Sequence, residues 1–129
     1  MKKEVLVHDE LGRGFARAVK AGDFLFVAGV TGRLDLKTWQ ELPEASHNIR
    51  FQTRQAMEWL KKVLEQCGTS LENVVKVDMF LKNFQDLPVV MDVWRGYFPA
   101  HSPPAATAVE VSRLIGIAEL EMDAIAVIS

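Results

Sequence analysis

The chain has 129 residues, of which 49% are hydrophobic and 25% charged, and its formal net charge is −2. That size and balance fit one soluble domain, residues 1–129, and they exclude a nucleic-acid partner, because phosphate binding needs a clustered cationic surface and the lysines and arginines here are scattered. No apolar run approaches the roughly 20 residues that cross a bilayer. No apolar stretch of the secretory kind follows Met1-Lys2-Lys3-Glu4, and the single cysteine, Cys67, has no internal partner, so a cytoplasmic protein without membrane contact is expected.

In chain order, Glu4 to His8 reads as a short strand. Ala16 to Lys20 and Phe24 to Gly29 read as a hairpin turning at Gly22. Val30 to Ala45 is a long loop holding Gly32, Pro43 and a turn over Asp35 to Gln40. Such a loop is either functional or a plain surface connection. A helix should begin near Ser46 or Asn48, both good caps, and end at Gly68. Its stripe is Gln52, Ala56, Trp59, Leu60, Val63, Leu64 and Cys67, while Arg50, Arg54, Glu58, Lys61, Lys62 and Glu65 take the other faces. Val74 to Leu81 reads as a strand. A second helix is predicted from an Asp86 cap, with Pro88 in its first turn, to about Phe98. Ala106 to Ser112 and Ala118 to Ile128 are the last strands.

Strands and helices mix without strict alternation, which favours an α+β sheet with helices on one face. Val75, Val77, Met79 and Leu81 form one apolar strand face, and Leu120, Met122, Ala124, Ala126 and Ile128 another. Burying Trp59, Leu60, Val63, Leu64, Val93 and Trp94 against them stabilises by about 1.5–3 kcal/mol each, before entropy is subtracted. Two helices cannot cover both faces of one sheet. Phe80, Ile125 and Val127 on the second face need another cover, so an oligomer is expected, against the plainer possibility of scattered surface apolar residues.

Several segments, taken in order, resemble one family over almost the whole chain. They are Ala18-Val19-Lys20-Ala21-Gly22-Asp23-Phe24-Leu25-Phe26-Val27-Ala28-Gly29, Gln52-Thr53-Arg54-Gln55-Ala56 and Gly68 to Lys76. Phe80-Leu81-Lys82-Asn83, Tyr97 to His101, Pro103 to Leu114 and Glu121 to Ala126 continue them. The chain resembles the Rid family, the reactive intermediate deaminases also called YjgF or L-PSP proteins. The resemblance implies a chorismate-mutase-like, that is ferredoxin-like, α+β protomer with two helices on one face of its sheet. It also implies a homotrimer with ligand pockets between subunits and a small-molecule substrate. No cofactor and no metal is implied, and His8 and His47 lack the spacing of a metal site.

Family deaminases hydrolyse enamines and imines such as 2-aminoacrylate to a keto acid and ammonia. The resemblance places the family's acidic residue at Glu121, as proton shuttle, and its backbone anchor at Gly29. The preceding serine is Ala28 and the family tyrosine is Phe15. The arginine that grips the substrate carboxylate is replaced by Ala106, followed by Thr107 and Ala108, and an asparagine of some members matches Met91. Losing that arginine removes two charged hydrogen bonds of about 1.5–3 kcal/mol each, roughly 10- to 100-fold in affinity apiece. Weak or absent turnover of 2-aminoacrylate is therefore expected. Ala106, Ala108 and Glu121 are expected to share one sheet surface, making a larger, more apolar pocket for a bulkier or less anionic imine, enamine or amide.

Arg17 and Arg33 are the cations placed to substitute, against the plainer reading of solvated arginines. Arg113 is expected to hold a loop or an ion pair, His101 a loop hydrogen bond, Cys67 a core position, and Trp39 a pocket rim or an exposed loop site. A diverged deaminase or related hydrolase is one reading. A non-catalytic ligand-binding or interaction trimer is the other. The family's old ribonuclease label conflicts with the acidic balance of the chain.

Overall fold

A computed structural model describes residues 1–128. The strands are β1 (Lys3–His8), β2 (Ala16–Ala21), β3 (Phe24–Thr31), β4 (Val74–Leu81), β5 (Ala105–Glu110) and β6 (Leu120–Val127). The helices are α1 (Ile49–Gln66) and α2 (Leu87–Trp94). All six strands join one sheet in the order β1-β2-β3-β6-β4-β5, with every pair antiparallel except β4 with β5. The result is the expected α+β arrangement of one sheet and two helices.

Asn48 caps α1 by accepting a hydrogen bond from the Phe51 amide at 3.0 Å. Ala56, Met57, Trp59, Leu60, Val63 and Leu64 are buried on its inner face. They meet Leu25, Val27, Val77, Met79, Leu81, Leu120 and Met122 from the sheet. Leu120, Met122, Ala124 and Ala126 are buried, and Glu121, Asp123 and Ile125 alternate outward, as strand geometry requires.

The structure corrects several expectations. Alternation fails at the start of β4, where a register shift between Val74 and Lys76 buries Val74 and leaves Val75 exposed. α2 ends at Trp94 rather than near Phe98; beyond it the Tyr97 and Phe98 amides turn back onto the Trp94 carbonyl. Asp86 makes no side-chain cap. Asn83, opening a short 3-10 turn ahead of the helix, accepts from the Gln85 amide instead. The long loop is also more structured than expected. β3 continues to Thr31, and Leu34 bridges Glu41 around a turn closed by Asp35 and Gln40.

Candidate functional site

A cavity of about 240 Å³ lies at the end of the sheet where β3 finishes and β2 and β6 begin. Arg17 of β2, with Arg13 and Phe15 just before it, forms one wall. Ala28, Gly29 and Thr31 of β3 form the next, continued by Arg33 and Leu34. Glu121 and Asp123 of β6 face them, and Trp59 of α1 and Ile115 complete the lining.

A bulge opens this end of the sheet. The pairing of β3 with β6 slips between Val27 and Val30, and Gly29 takes φ +65°, which a side chain rarely adopts. The Gly29 amide donates to Asp123 Oδ1 at 2.9 Å, and its carbonyl accepts from Arg17 Nη1 at 3.4 Å. Arg17 is buried, with its guanidinium 4.6 Å from the Trp59 ring centre and 5.3 Å from that of Phe15. Its Nη2 donates to Asp9 at 3.1 Å and its Nε to Glu10 at 3.2 Å. Asp9 also accepts from Arg13 Nε and Nη2, each at 2.9 Å, and the Arg13 guanidinium holds the Asp9 carboxyl well below the usual carboxylate range.

Arg33 stands on a loop pressed hard against α1. A side chain at Gly32 would put its Cβ 1.9 Å from the Gln52 carbonyl oxygen, so no other residue fits there. Gln52 itself is buried and joins three segments. Its Nε2 donates to the Ala45 and Ile117 carbonyls, and its Oε1 accepts from the Glu119 amide at 2.8 Å. Arg33 Nη1 donates to Glu41 at 3.1 Å, and Arg33 Nε is buried without a hydrogen-bond partner.

Glu121 is half-buried, and burial pushes its carboxyl above the usual glutamate range. The neighbouring Asp123 charge adds to the rise, while Arg17 and Arg33 oppose it. A carboxyl tuned this way exchanges a proton nearer neutral pH than an ordinary one. Among the described residues, no cluster of three or more His, Cys, Asp or Glu is arranged to hold a metal, and no helix is long and apolar enough to cross a membrane.

Of the residues singled out from the sequence, Phe15, Arg17, Ala28, Gly29 and Glu121 meet in this cavity. Met91 packs against the core from α2. Ala106, Thr107 and Ala108 lie on β5, the far edge strand. Ala106 and Ala108 pair with Val77 and Met79 on the helix-covered face, whereas Glu121 pairs with Phe80 on the other. The expected common surface for Ala106, Ala108 and Glu121 is thereby corrected. Only Thr107, opposite Asp78, shares the face of Glu121. Arg113 is exposed and has no ion pair among the described residues, against expectation. Trp39 is half-buried and packs against Trp59 at 5.4 Å. Arg13 and Thr31 also line the cavity, with no sequence motif that points to them, and Trp59 of the apolar α1 stripe stacks beneath Arg17 as well as packing in the core.

Residues 10–128 match the family model described as Endoribonuclease L-PSP. A RutC family protein of Pyrococcus horikoshii is 42% identical over 112 residues, spanning 87% of this chain and 85% of that protein. A protein of Dermatophagoides farinae named 2-iminobutanoate/2-iminopropanoate deaminase is 33% identical over 115 residues, spanning 88% and 85%. Among solved structures, a Rid-family protein of unknown function from Yersinia pestis superposes with a TM-score of 0.88 at 27% identity, over 98% of this chain and 100% of that one.

Proposed function

Because the chain belongs to the Rid (YjgF, L-PSP) family, we propose that its cavity hydrolyses an imine or enamine other than 2-aminoacrylate and releases ammonia, with Glu121 moving the protons. The observation that carries this reading is Glu121 itself, a half-buried carboxyl on the cavity wall with a raised affinity for its proton. The chemistry needs little more. An enamine takes a proton on carbon and loses one from nitrogen, which gives the imine. Water then adds to the imine carbon as the C=N electron pair moves onto nitrogen; the oxygen loses one proton and the nitrogen gains one, which gives a carbinolamine. The nitrogen takes a second proton, the C–N bond breaks with its electron pair leaving on ammonia, and loss of the hydroxyl proton gives the carbonyl. One carboxyl that alternates between donor and acceptor serves each of these transfers.

The departures at Ala28, Phe15 and Ala106 support a substrate different from 2-aminoacrylate, because the hydroxyls and the guanidinium that would grip it are absent. The open sheet face carries Phe24, Phe26 and Val127 in solvent beside Ile125, and it supports assembly as a homotrimer.

The test is ammonia release from a panel of imines generated in place by an amino acid oxidase. Glu121→Gln should lower the rate about 10²–10⁴-fold with the fold intact by circular dichroism. Unchanged ammonia release by that variant would overturn the role of Glu121. No release from any imine by the unmodified protein would favour a ligand-binding trimer instead.

A further inference from the structure

Three arginines line the cavity, and their hydrogen bonds differ. Arg17 commits all three guanidinium nitrogens to acceptors of its own chain: Glu10, Asp9 and the Gly29 carbonyl. Arg13 commits Nε and Nη2 to Asp9. Arg33 has one partner among the described residues, Glu41, and its Nε is the one buried side-chain nitrogen or oxygen there that finds none. Arg33 is only 9% exposed. A charged donor with no acceptor is rare in a folded protein, and Arg33 Nη2, which also has no hydrogen-bond partner among the described residues, adds a second uncommitted donor to a side chain that lines the cavity.

We infer that Arg33 grips an anionic group of the substrate, so that the cavity takes carboxylate-bearing imines and not uncharged ones. This rests on reading the cavity as the ligand site, as proposed above. A guanidinium presents its donors in a rigid fork that matches a carboxylate in two parallel hydrogen bonds. Arg33 is positioned for this before any ligand arrives. Gly32 locks the loop against α1, Glu41 holds Nη1, and Gly116 packs so closely that a Cβ there would lie 3.2 Å from the same nitrogen. The cation absent at Ala106 is thus supplied from the loop after β3. The expectation of a less anionic substrate gives way to that of an anion held in another direction, which suits a differently shaped imine.

Two carboxylates also face the cavity and would oppose an anion. Asp123 is occupied by the Gly29 amide, and Glu121 retains its proton more readily than an ordinary glutamate. A ligand carboxylate on Arg33 would strengthen that retention, because it adds negative charge and engages a cation that now favours the ionised form. Substrate binding and the loading of the proton-carrying carboxyl are therefore coupled.

The probes are 2-oxohexanoate and its uncharged amide, titrated against the full chain by NMR. The acid should bind at least about tenfold more tightly than the amide, the ratio expected from one charged hydrogen bond. The Arg33 Nε–H resonance of the unmodified protein should shift with the acid and stay still with the amide, and this readout needs no variant. Arg33→Gln should bring the two affinities together while the solution mass stays the same. Glu121→Gln should keep the acid preference and lose ammonia release. Equal binding of acid and amide, binding of neither, or a stationary Arg33 resonance would overturn the inference. So would a preference that survives Arg33→Gln, or a changed mass, which would mean that Arg33 serves contact between copies. If acid preference stands but no imine releases ammonia, the catalytic reading fails alone. If Glu121-dependent ammonia release stands without acid preference, the Arg33 inference fails alone.

Discussion

Glu121 and Asp123 occupy alternate positions of one strand and line the same cavity, yet only Asp123 is engaged by a backbone amide, that of Gly29. Asp123 accepts from the Gly29 amide, and its charge helps to raise Glu121. Asp123→Asn keeps an acceptor oxygen for Gly29 and removes the charge. The variant should therefore move the Glu121 titration to lower pH, measured from its side-chain carboxyl signal by NMR, and shift the pH dependence of ammonia release the same way. The sign for stability follows from the same rise. The native state holds this proton more tightly than the unfolded chain, so the contribution of Glu121 to folding is fully present at acid pH and is lost as pH rises through the native value. Phe15, Ala28, Gly29 and Glu121 were legible in the sequence because ordered motifs carry them. The engagement of Arg17 was not legible, because Asp9 and Glu10 reach it across the turn that precedes β2. Arg33 could be suspected and not placed, because no periodicity fixes the course of a loop.

What fixes that course is contact between elements. Gly32 abuts the first turns of α1, and Gln52 of that helix ties the Pro43–Ala45 turn to the segment before β6. A methyl group added at Gly32 cannot fit without moving the backbone. Gly32→Ala should lower stability by at least about 1–3 kcal/mol, read as a drop in denaturation midpoint, and it should weaken the acid preference by displacing Arg33. The helix faces and strand parities were legible because apolar residues recur at 3.6 and 2 positions. The exceptions lie where a tertiary feature interrupts the period: the bulge at Val74–Val75, the bulge at Ala28–Gly29, and the early stop of α2 at Trp94. Gln52 sat in the apolar stripe with no hint that its amide serves three backbone groups.

At the scale of the molecule, the uncovered sheet face is the feature that a single chain leaves unresolved. Phe24 pairs with Val127 and Phe26 with Ile125, so four apolar side chains form a ladder on the side away from the helices. Light scattering should give a mass three times that of one chain, and Phe26→Lys should shift it toward one, because a charge in an apolar interface must shed its water. The need for a cover was legible in the parity of the last strand. The number of copies rests on the family resemblance. The strand order has a further consequence for how the molecule is made. β6 is the last strand in sequence, yet it sits between β3 and β4 in the middle of the sheet. During synthesis the early hairpin and the later β4–β5 pair must wait as two unjoined halves until β6 leaves the ribosome and zips them together. The same strand carries Glu121, so a chain that still lacks β6 also lacks the carboxyl on which the proposed chemistry depends.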